Sequence, residues 1–142
     1  MGIAYREFEN GDFLNFCVLV EDEYKDAHNS IAWSLFNSNN DIEKCILALD
    51  DQKIVGYIYG FILPTKTLLP EFLYVLPDYR RQGIGAKLLS EFEKNYACTV
   101  SRVYYNKNLH DFYNKLGYMS GDKLEVAIKE IPLIKERDSH EI

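Results

Sequence analysis

The stretch Leu73-Tyr74-Val75-Leu76-Pro77-Asp78-Tyr79-Arg80-Arg81-Gln82-Gly83-Ile84-Gly85-Ala86-Lys87-Leu88-Leu89-Ser90 decides the fold. It reads as a strand, a turn holding two arginines and two glycines, and the opening of an amphipathic helix. After the turn, Ile84, Leu88, Leu89, Phe92 and Tyr96 recur at helical spacing. Lys87, Ser90, Glu91, Glu93 and Lys94 fall mostly on the opposite face. A strand that runs through a glycine turn into a one-faced helix predicts a helix packed on a sheet.

The turn also carries chemistry. The first turn of a helix leaves several backbone N–H groups without intrahelical partners, and the helix dipole adds partial positive charge at that end. Together they form a site for an anion. Gly83 and Gly85 remove side chains, so that a pyrophosphate can approach the backbone. Arg80 and Arg81 add full charge and forked donors suited to phosphate oxygens. Two nucleotide motifs are excluded. No Gly-x-x-x-x-Gly-Lys-Ser/Thr run exists, and the third glycine of a dinucleotide fingerprint is replaced by Leu88.

Arg80-Arg81-Gln82-Gly83-Ile84-Gly85 resembles the acetyl-CoA signature of the GNAT superfamily of N-acetyltransferases, Arg/Gln-x-x-Gly-x-Gly/Ala. Arg81 stands where that family most often has glycine. Asn106-Lys107-Asn108-Leu109-His110-Asp111-Phe112-Tyr113-Asn114-Lys115-Leu116-Gly117-Tyr118 resembles a second block of the family, Asn-x-x-Ala-x-x-x-Tyr-x-x-x-Gly-Phe. Leu109 replaces the usual alanine and Tyr118 the usual phenylalanine. The two blocks occur in the family's order and at its spacing.

Composition is compatible with this. A chain of 142 residues suits one domain, taken here as 1–134 with a charged tail at 135–142 that is expected to fray. A hydrophobic content of 47% suffices for a core. No apolar run approaches the roughly 20 residues of a membrane span, and no signal-peptide apolar region opens the chain. Cys17, Cys45 and Cys98 are odd in number, widely spaced and form no Cys-x-x-Cys site. They read as thiols of a reducing, cytoplasmic setting. The net charge of -6 argues against nucleic-acid binding. His28, His110 and His140 lack metal-ligand spacing, so no metal is expected, and all three read as surface residues.

Along the chain, Ile3–Phe8 reads as a first strand. Asp12 reads as the cap of a helix carrying Phe13, Phe16, Cys17, Val20 and Tyr24. His28–Phe36 reads as a shorter helix. Cys45–Leu49 and Ile54–Leu63 read as a hairpin turning at Asp50-Asp51-Gln52-Lys53. Phe72–Leu76 and Thr99–Tyr105 read as strands, and Leu109–Leu116 as a helix ended by Gly117. Leu124–Ile131 alternates like a last strand, with a further short one at Tyr118–Ser120. The expected class is α/β: a mixed, mostly antiparallel sheet with helices on both faces. The edge of the last strand offers a contact for a homodimer.

The resemblance implies more. Acetyl-CoA would lie where the strands ending near Leu76 and Tyr105 splay apart. Main-chain groups of Leu73, Tyr74 and Val75 would meet the pantetheine arm. Gln82, Gly83, Gly85 and Ala86 would cradle the pyrophosphate, with Arg80 and Arg81 adding charge. Asn106 and Tyr113 would lie beside the thioester sulfur. Tyr113 would return a proton to that sulfur, although a packed ring is the simpler reading of an aromatic on a short helix. Glu71 is placed at the start of the central strand, on the face of Leu73 and Val75 by alternation. It is the candidate base, with an ordinary solvated glutamate as the alternative. Glu21, Asp22, Glu23 and Asp26 form either an ordinary solvated helix end or an acidic rim for a protonated amine, and Tyr24 and Trp33 are either pocket or core.

Three functions follow. The first is an N-acetyltransferase acting on a primary amine: a small amine, an aminoglycoside-like compound, or a peptide or protein amine. The second is a non-catalytic acyl-CoA-binding or sensing domain. The third is an interaction domain without cofactor, which the intact Arg80, Gly83, Gly85, Asn106 and Tyr113 disfavour.

Overall fold

The computed structural model describes residues 2–19, 24–38, 41–121 and 125–132. In chain order, Ala4–Glu7 forms β1, Phe13–Cys17 α1, Lys25–Asn37 α2, Glu43–Asp50 β2 and Lys53–Leu63 β3. Thr67–Val75 forms β4, Ile84–Asn95 α3, Val100–Ser101 β5 and His110–Lys115 α4. The chain divides into two compact units, residues 1–106 and 107–142.

The first unit holds one sheet with the strand order β1-β2-β3-β4-β5. The first four strands are antiparallel neighbours, and β5 joins β4 in parallel. The β2–β3 hairpin turns through Asp51 and Gln52, with Asp51 at φ 60°. β3 is buried from Ile54 to Gly60, so both of its faces are covered. Adjacent residues identify the covers. A Cβ on Gly56 would stand 3.4 Å from Leu88 Cδ1 of α3. The next residue, Tyr57, points the other way and meets Phe16 of α1 and His28 of α2 at ring separations of 4.5 and 5.7 Å. Helices therefore cover both faces, as α3 on one side and α1 with α2 on the other.

The α3 stripe behaves as its spacing predicts. Ile84, Leu88, Leu89 and Phe92 are buried. Each fully buried side chain of this size contributes about 1.5–3 kcal/mol, and Phe92→Ala would strip the largest of them. α2 is anchored at its far end by polar contacts: Ser34 Oγ donates to Glu43, and Tyr59 Oη donates to the same carboxylate at 2.5 Å.

Several elements differ from their sequence pattern. Asp12 does not cap α1 with its side chain. Its carboxylate instead accepts the Glu9 N–H and a fork from Arg6. α1 ends at Cys17, and Tyr24 immediately precedes α2. α2 runs through Lys25–Asn37, longer than the apolar positions alone suggested. His28 is fully buried, not at the surface, because its Nδ1 pairs with Tyr57 Oη at 2.9 Å inside a ring cluster. His110 is exposed, and His140 lies outside the described residues. β5 is two residues long, not seven, since its ladder with β4 ends at Leu68↔Ser101.

The second unit contains a 3-10 turn at Lys107–Leu109, α4, and a glycine stop. Gly117 has φ 94°, and the N–H groups of Leu116 and Tyr118 both donate to the Tyr113 carbonyl. Residues 118–121 and 125–132 form no strand. In this segment Val126, Ile128 and Ile131 stay exposed, so no buried face draws the alternating pattern into a ladder. The homodimer expectation therefore has no strand edge there to rest on. Residues 133–142, with the whole of the expected tail, lie outside the described residues.

Candidate cofactor site at the end of the fourth strand

The site begins where β4 loses its second neighbour. β5 pairs only with Thr67 and Leu68, and one further bond joins the Arg102 N–H to the Leu68 carbonyl at 2.9 Å. Beyond that point β4 continues to Val75 with β3 as its only strand partner among the described residues. The Leu76 N–H bonds Val55 of β3 at 2.8 Å. By strand alternation the N–H and C=O groups of Leu73 and Val75 turn the other way, into the gap. Arg80 takes one lone pair of the Val75 carbonyl, and the amides of an extended ligand could pair with the remaining groups. Tyr74 differs from that expectation. Its main chain faces Tyr57 of β3, and only its buried ring contributes to the site's surroundings.

Glu71 also sits differently. It does not begin β4 but interrupts it. Pro70 pairs with Gly60 and Phe72 with Tyr59, so Glu71 is the extra residue of a β-bulge. The bulge breaks the alternation that assigned Glu71 to the face of Leu73 and Val75. Its side chain is exposed. Two sequence signals mark this spot. Pro70 lacks an N–H for a central ladder, and Gly60 lies within a strand pattern. A Cβ on Gly60 would overlap the Leu69 carbonyl oxygen and lie 2.9 Å from Pro70 Cα, so glycine permits the close approach.

After Val75 the chain folds through a 3-10 turn, Pro77–Tyr79. Tyr79 Oη donates to Asp50 Oδ2 at 2.7 Å, which ties the turn to the β2–β3 hairpin and raises the pKa of the Tyr79 hydroxyl. Arg80 reaches back: its Nε donates to the Val75 carbonyl at 2.7 Å, and its guanidinium carbon stands 5.5 Å from the Tyr74 ring centroid. Arg81 and Gly83 take φ values of 65° and 81°. The left-handed bend at Arg81 gives a physical reason for the glycine common at that place in the resembling family.

α3 then starts without a side-chain cap. Its first backbone bond runs from the Lys87 N–H to the Gly83 carbonyl at 3.0 Å. Among the described residues no protein acceptor takes the N–H groups of Arg81 through Ala86. Gln82 and Gly83 are exposed, while Gly85 and Ala86 are half-buried. A run of donors of this kind, with the Arg81 charge in the same loop, could hold a diphosphate.

Asn106 ends the first unit on an exposed stretch that leaves β5. Tyr113 belongs to the second unit. Its ring is 8% exposed and meets Phe112 and Tyr118 edge to face at 5.0 and 5.7 Å. Asp26 is exposed, which suits a solvated helix residue as well as a rim, whereas Glu21, Asp22 and Glu23 lie outside the described residues. Tyr24 and Trp33 are 40% and 54% exposed, so neither is core.

The model of the acetyltransferase (GNAT) domain matches residues 41–120. The chain belongs to the GNAT acetyltransferase family. Thialysine N-epsilon-acetyltransferases of Mus musculus and Sus scrofa are each 38% identical over 74 residues, 45% of this chain. The match spans 44% of those relatives' length. Among solved structures, a ribosomal-protein-alanine N-acetyltransferase from Brucella melitensis biovar Abortus 2308 superposes with a TM-score of 0.72 at 16% identity, covering 91% of this chain and 100% of that one. The aminoglycoside N-acetyltransferase AAC(6')-Iy, solved with CoA, gives 0.70 at 14%, covering 92% and 96%. These likenesses establish the GNAT fold for the chain. Among the described residues, no helix is long and apolar enough to cross a membrane.

Proposed function

We propose that this GNAT protein is an N-acetyltransferase that transfers the acetyl group of acetyl-CoA to a primary amine. The observation that carries the reading is the run of N–H groups from Arg81 to Ala86 that no described residue accepts, set at the end of a strand whose far half opens into the gap with no second strand partner among the described residues. The gap suits an amide-bearing arm and the run suits a diphosphate. CoA has both, in that order. The CoA held by a structural neighbour supports the same choice.

Acetyl-CoA supplies an activated acyl group. The protein's part is to hold the thioester and a neutral amine in attack geometry, take a proton from the amine and return one to the sulfur. We assign the arm to Leu73 and Val75, the diphosphate to Gln82, Gly83, Gly85 and Ala86 with Arg81, the thioester to Asn106, and the proton return to Tyr113. Glu71, exposed on its bulge, is assigned to the amine's proton, directly or through water. A single domain over 1–134 is part of this reading, supported by a family match that continues across the boundary between the units. A reducing, cytoplasmic setting is part of it as well, supported by three free cysteines. The thialysine relatives and the aminoglycoside neighbours make amino-acid side-chain amines and aminosugars the first acceptors to try.

Calorimetry with acetyl-CoA, run beside thiol release across a panel of amines, aminoglycosides, polyamines and peptides, tests the proposal. Binding together with release that depends on one acceptor supports it. Binding with no release on any acceptor favours the sensing domain instead. No binding ends both readings.

A further inference from the structure

Arg80 is the first residue of the phosphate-loop motif, and its charge invites assignment to the diphosphate. Its geometry is otherwise committed. Nε points back along the chain to the Val75 carbonyl at 2.7 Å, a charge-assisted bond. The guanidinium also lies over the Tyr74 ring, 5.5 Å from its centroid, within cation–π range. Tyr74 is a rigid seat. It is 4% exposed and meets the His28 ring edge to face at 4.7 Å. His28 is itself fully buried and hydrogen-bonded to Tyr57 Oη at 2.9 Å.

These contacts join the last residues of β4 to the residue that opens the left-handed bend. Between them the Arg80 N–H closes on the Pro77 carbonyl at 3.3 Å. The corner between strand and donor loop is thus held by Arg80 from inside and by Tyr79–Asp50 from the hairpin side. Immediately beyond it stand the N–H groups that carry the proposed site. These donors meet no protein acceptor among the described residues, so they have little else to fix their direction.

We propose that Tyr74 and Arg80 form a latch whose task is to aim the N–H groups of Gln82 to Ala86, with Tyr74 a positioning residue through its side chain. Arg80 then acts through the loop's geometry more than through its charge. This rests on the acetyl-CoA reading above. The Val75 carbonyl keeps a second lone pair for a ligand amide, so the latch and an arm in the gap are compatible.

Two measurements test it. The first is the exchange with water of the Arg80 Nε–H, read by NMR on the ligand-free protein. A latched Nε–H exchanges slowly in wild type, quickly in Tyr74→Leu, and slowly again in Tyr74→Phe, which keeps the ring. Wild-type exchange as fast as that of a solvated arginine overturns the latch, whatever the protein binds. The second is acetyl-CoA calorimetry on Arg80→Lys, Arg80→Gln, Tyr74→Leu and Tyr74→Phe. Lysine keeps the charge but lacks the fork. The latch predicts that Lys and Gln at position 80 weaken binding alike, by about ten-fold, the equivalent of one charge-assisted hydrogen bond. It also predicts that Tyr74→Phe recovers most of what Tyr74→Leu loses. Retained affinity in Arg80→Lys with loss only in Arg80→Gln makes Arg80 a plain charge and overturns the proposal. Arg80 is exposed, so its variants keep the experiment decisive should Tyr74→Leu not fold. Slow wild-type exchange with no acetyl-CoA binding overturns the function reading and the aiming role together, and leaves a fold contact only.

Discussion

The Arg6 guanidinium grips the Asp12 carboxylate with two parallel bonds, Nη1 to Oδ2 at 2.8 Å and Nη2 to Oδ1 at 2.9 Å. Asp12 is buried and also accepts the Glu9 N–H. The Arg6 bond is the main cause that holds its carboxyl below the ordinary value of 3.8, against an opposing desolvation. A carboxyl depressed in the native state stabilises the fold above its unfolded value, and that stabilisation fades as pH falls through the native value. Asp12→Asn removes it at every pH. The variant is expected to be about 1–2 kcal/mol less stable at neutral pH, at the low end because Arg6 is partly solvated. Its deficit relative to wild type should shrink below about pH 3.8. Denaturant melts at a series of pH values check this, and a deficit that ignores pH excludes the ion pair as its source.

Arg81 and Gly83 share the left-handed region but differ in side chain. Arg81→Gly relieves the Cβ clash of that region, about 1–2 kcal/mol, and loses part of the gain to the freer unfolded chain. The expected result is equal or slightly higher stability with a raised KM for acetyl-CoA and a weaker salt dependence. Gly83→Ala has open space for its Cβ, so its penalty is that of the backbone alone, about 1–2 kcal/mol. Thermal melts and KM measured at two ionic strengths separate the two effects.

Gly60 faces the bulge. In Gly60→Ala the new methyl meets the backbone of Leu69 and Pro70, which cannot rotate away. A loss of about 1–3 kcal/mol is expected, with Glu71 displaced. The KM for the amine should therefore rise more than the KM for acetyl-CoA. Equal rises in both would remove Glu71 from the acceptor side.

Tyr113→Phe and Glu71→Gln divide the proposed proton transfers. Each is expected to lower kcat by about 100-fold, the scale of a lost general acid or base, and to leave acetyl-CoA binding near wild type. Glu71→Gln should regain rate as pH rises and more of the amine is neutral, whereas Tyr113→Phe should not. Rate–pH profiles of both variants decide the matter, and a Tyr113→Phe enzyme of full activity would return Tyr113 to a packing role.

The loop and its flanking elements are legible because each follows from short-range rules. The glycines, the helical spacing after Ile84 and the two-residue hairpin are local signals. Where long-range pairing rules, the pattern misleads. Val100 to Tyr105 is strand-like in composition, yet β4 and β5 part after two pairs. Glu71 looks like a strand end only if Pro70 is taken as a boundary, whereas a bulge lets the proline sit inside β4. His28 reads as a surface residue from its polarity, but its partner Tyr57 lies 29 positions away and is invisible to any local window. The commitment of Arg80 to Val75 is of the same kind: the motif marks the residue, and only the fold shows where its Nε points.

The free half of β4 has one consequence outside catalysis. A row of strand donors and acceptors with no strand partner among the described residues is a template for any extended chain, including another copy of this one. Here Arg80 blunts the row at its end, on the Val75 carbonyl. A ligand lying along it would act as a plug. Concentrated stocks kept without acetyl-CoA are therefore expected to cloud sooner than saturated ones, and the co-substrate would serve as the protein's own preservative.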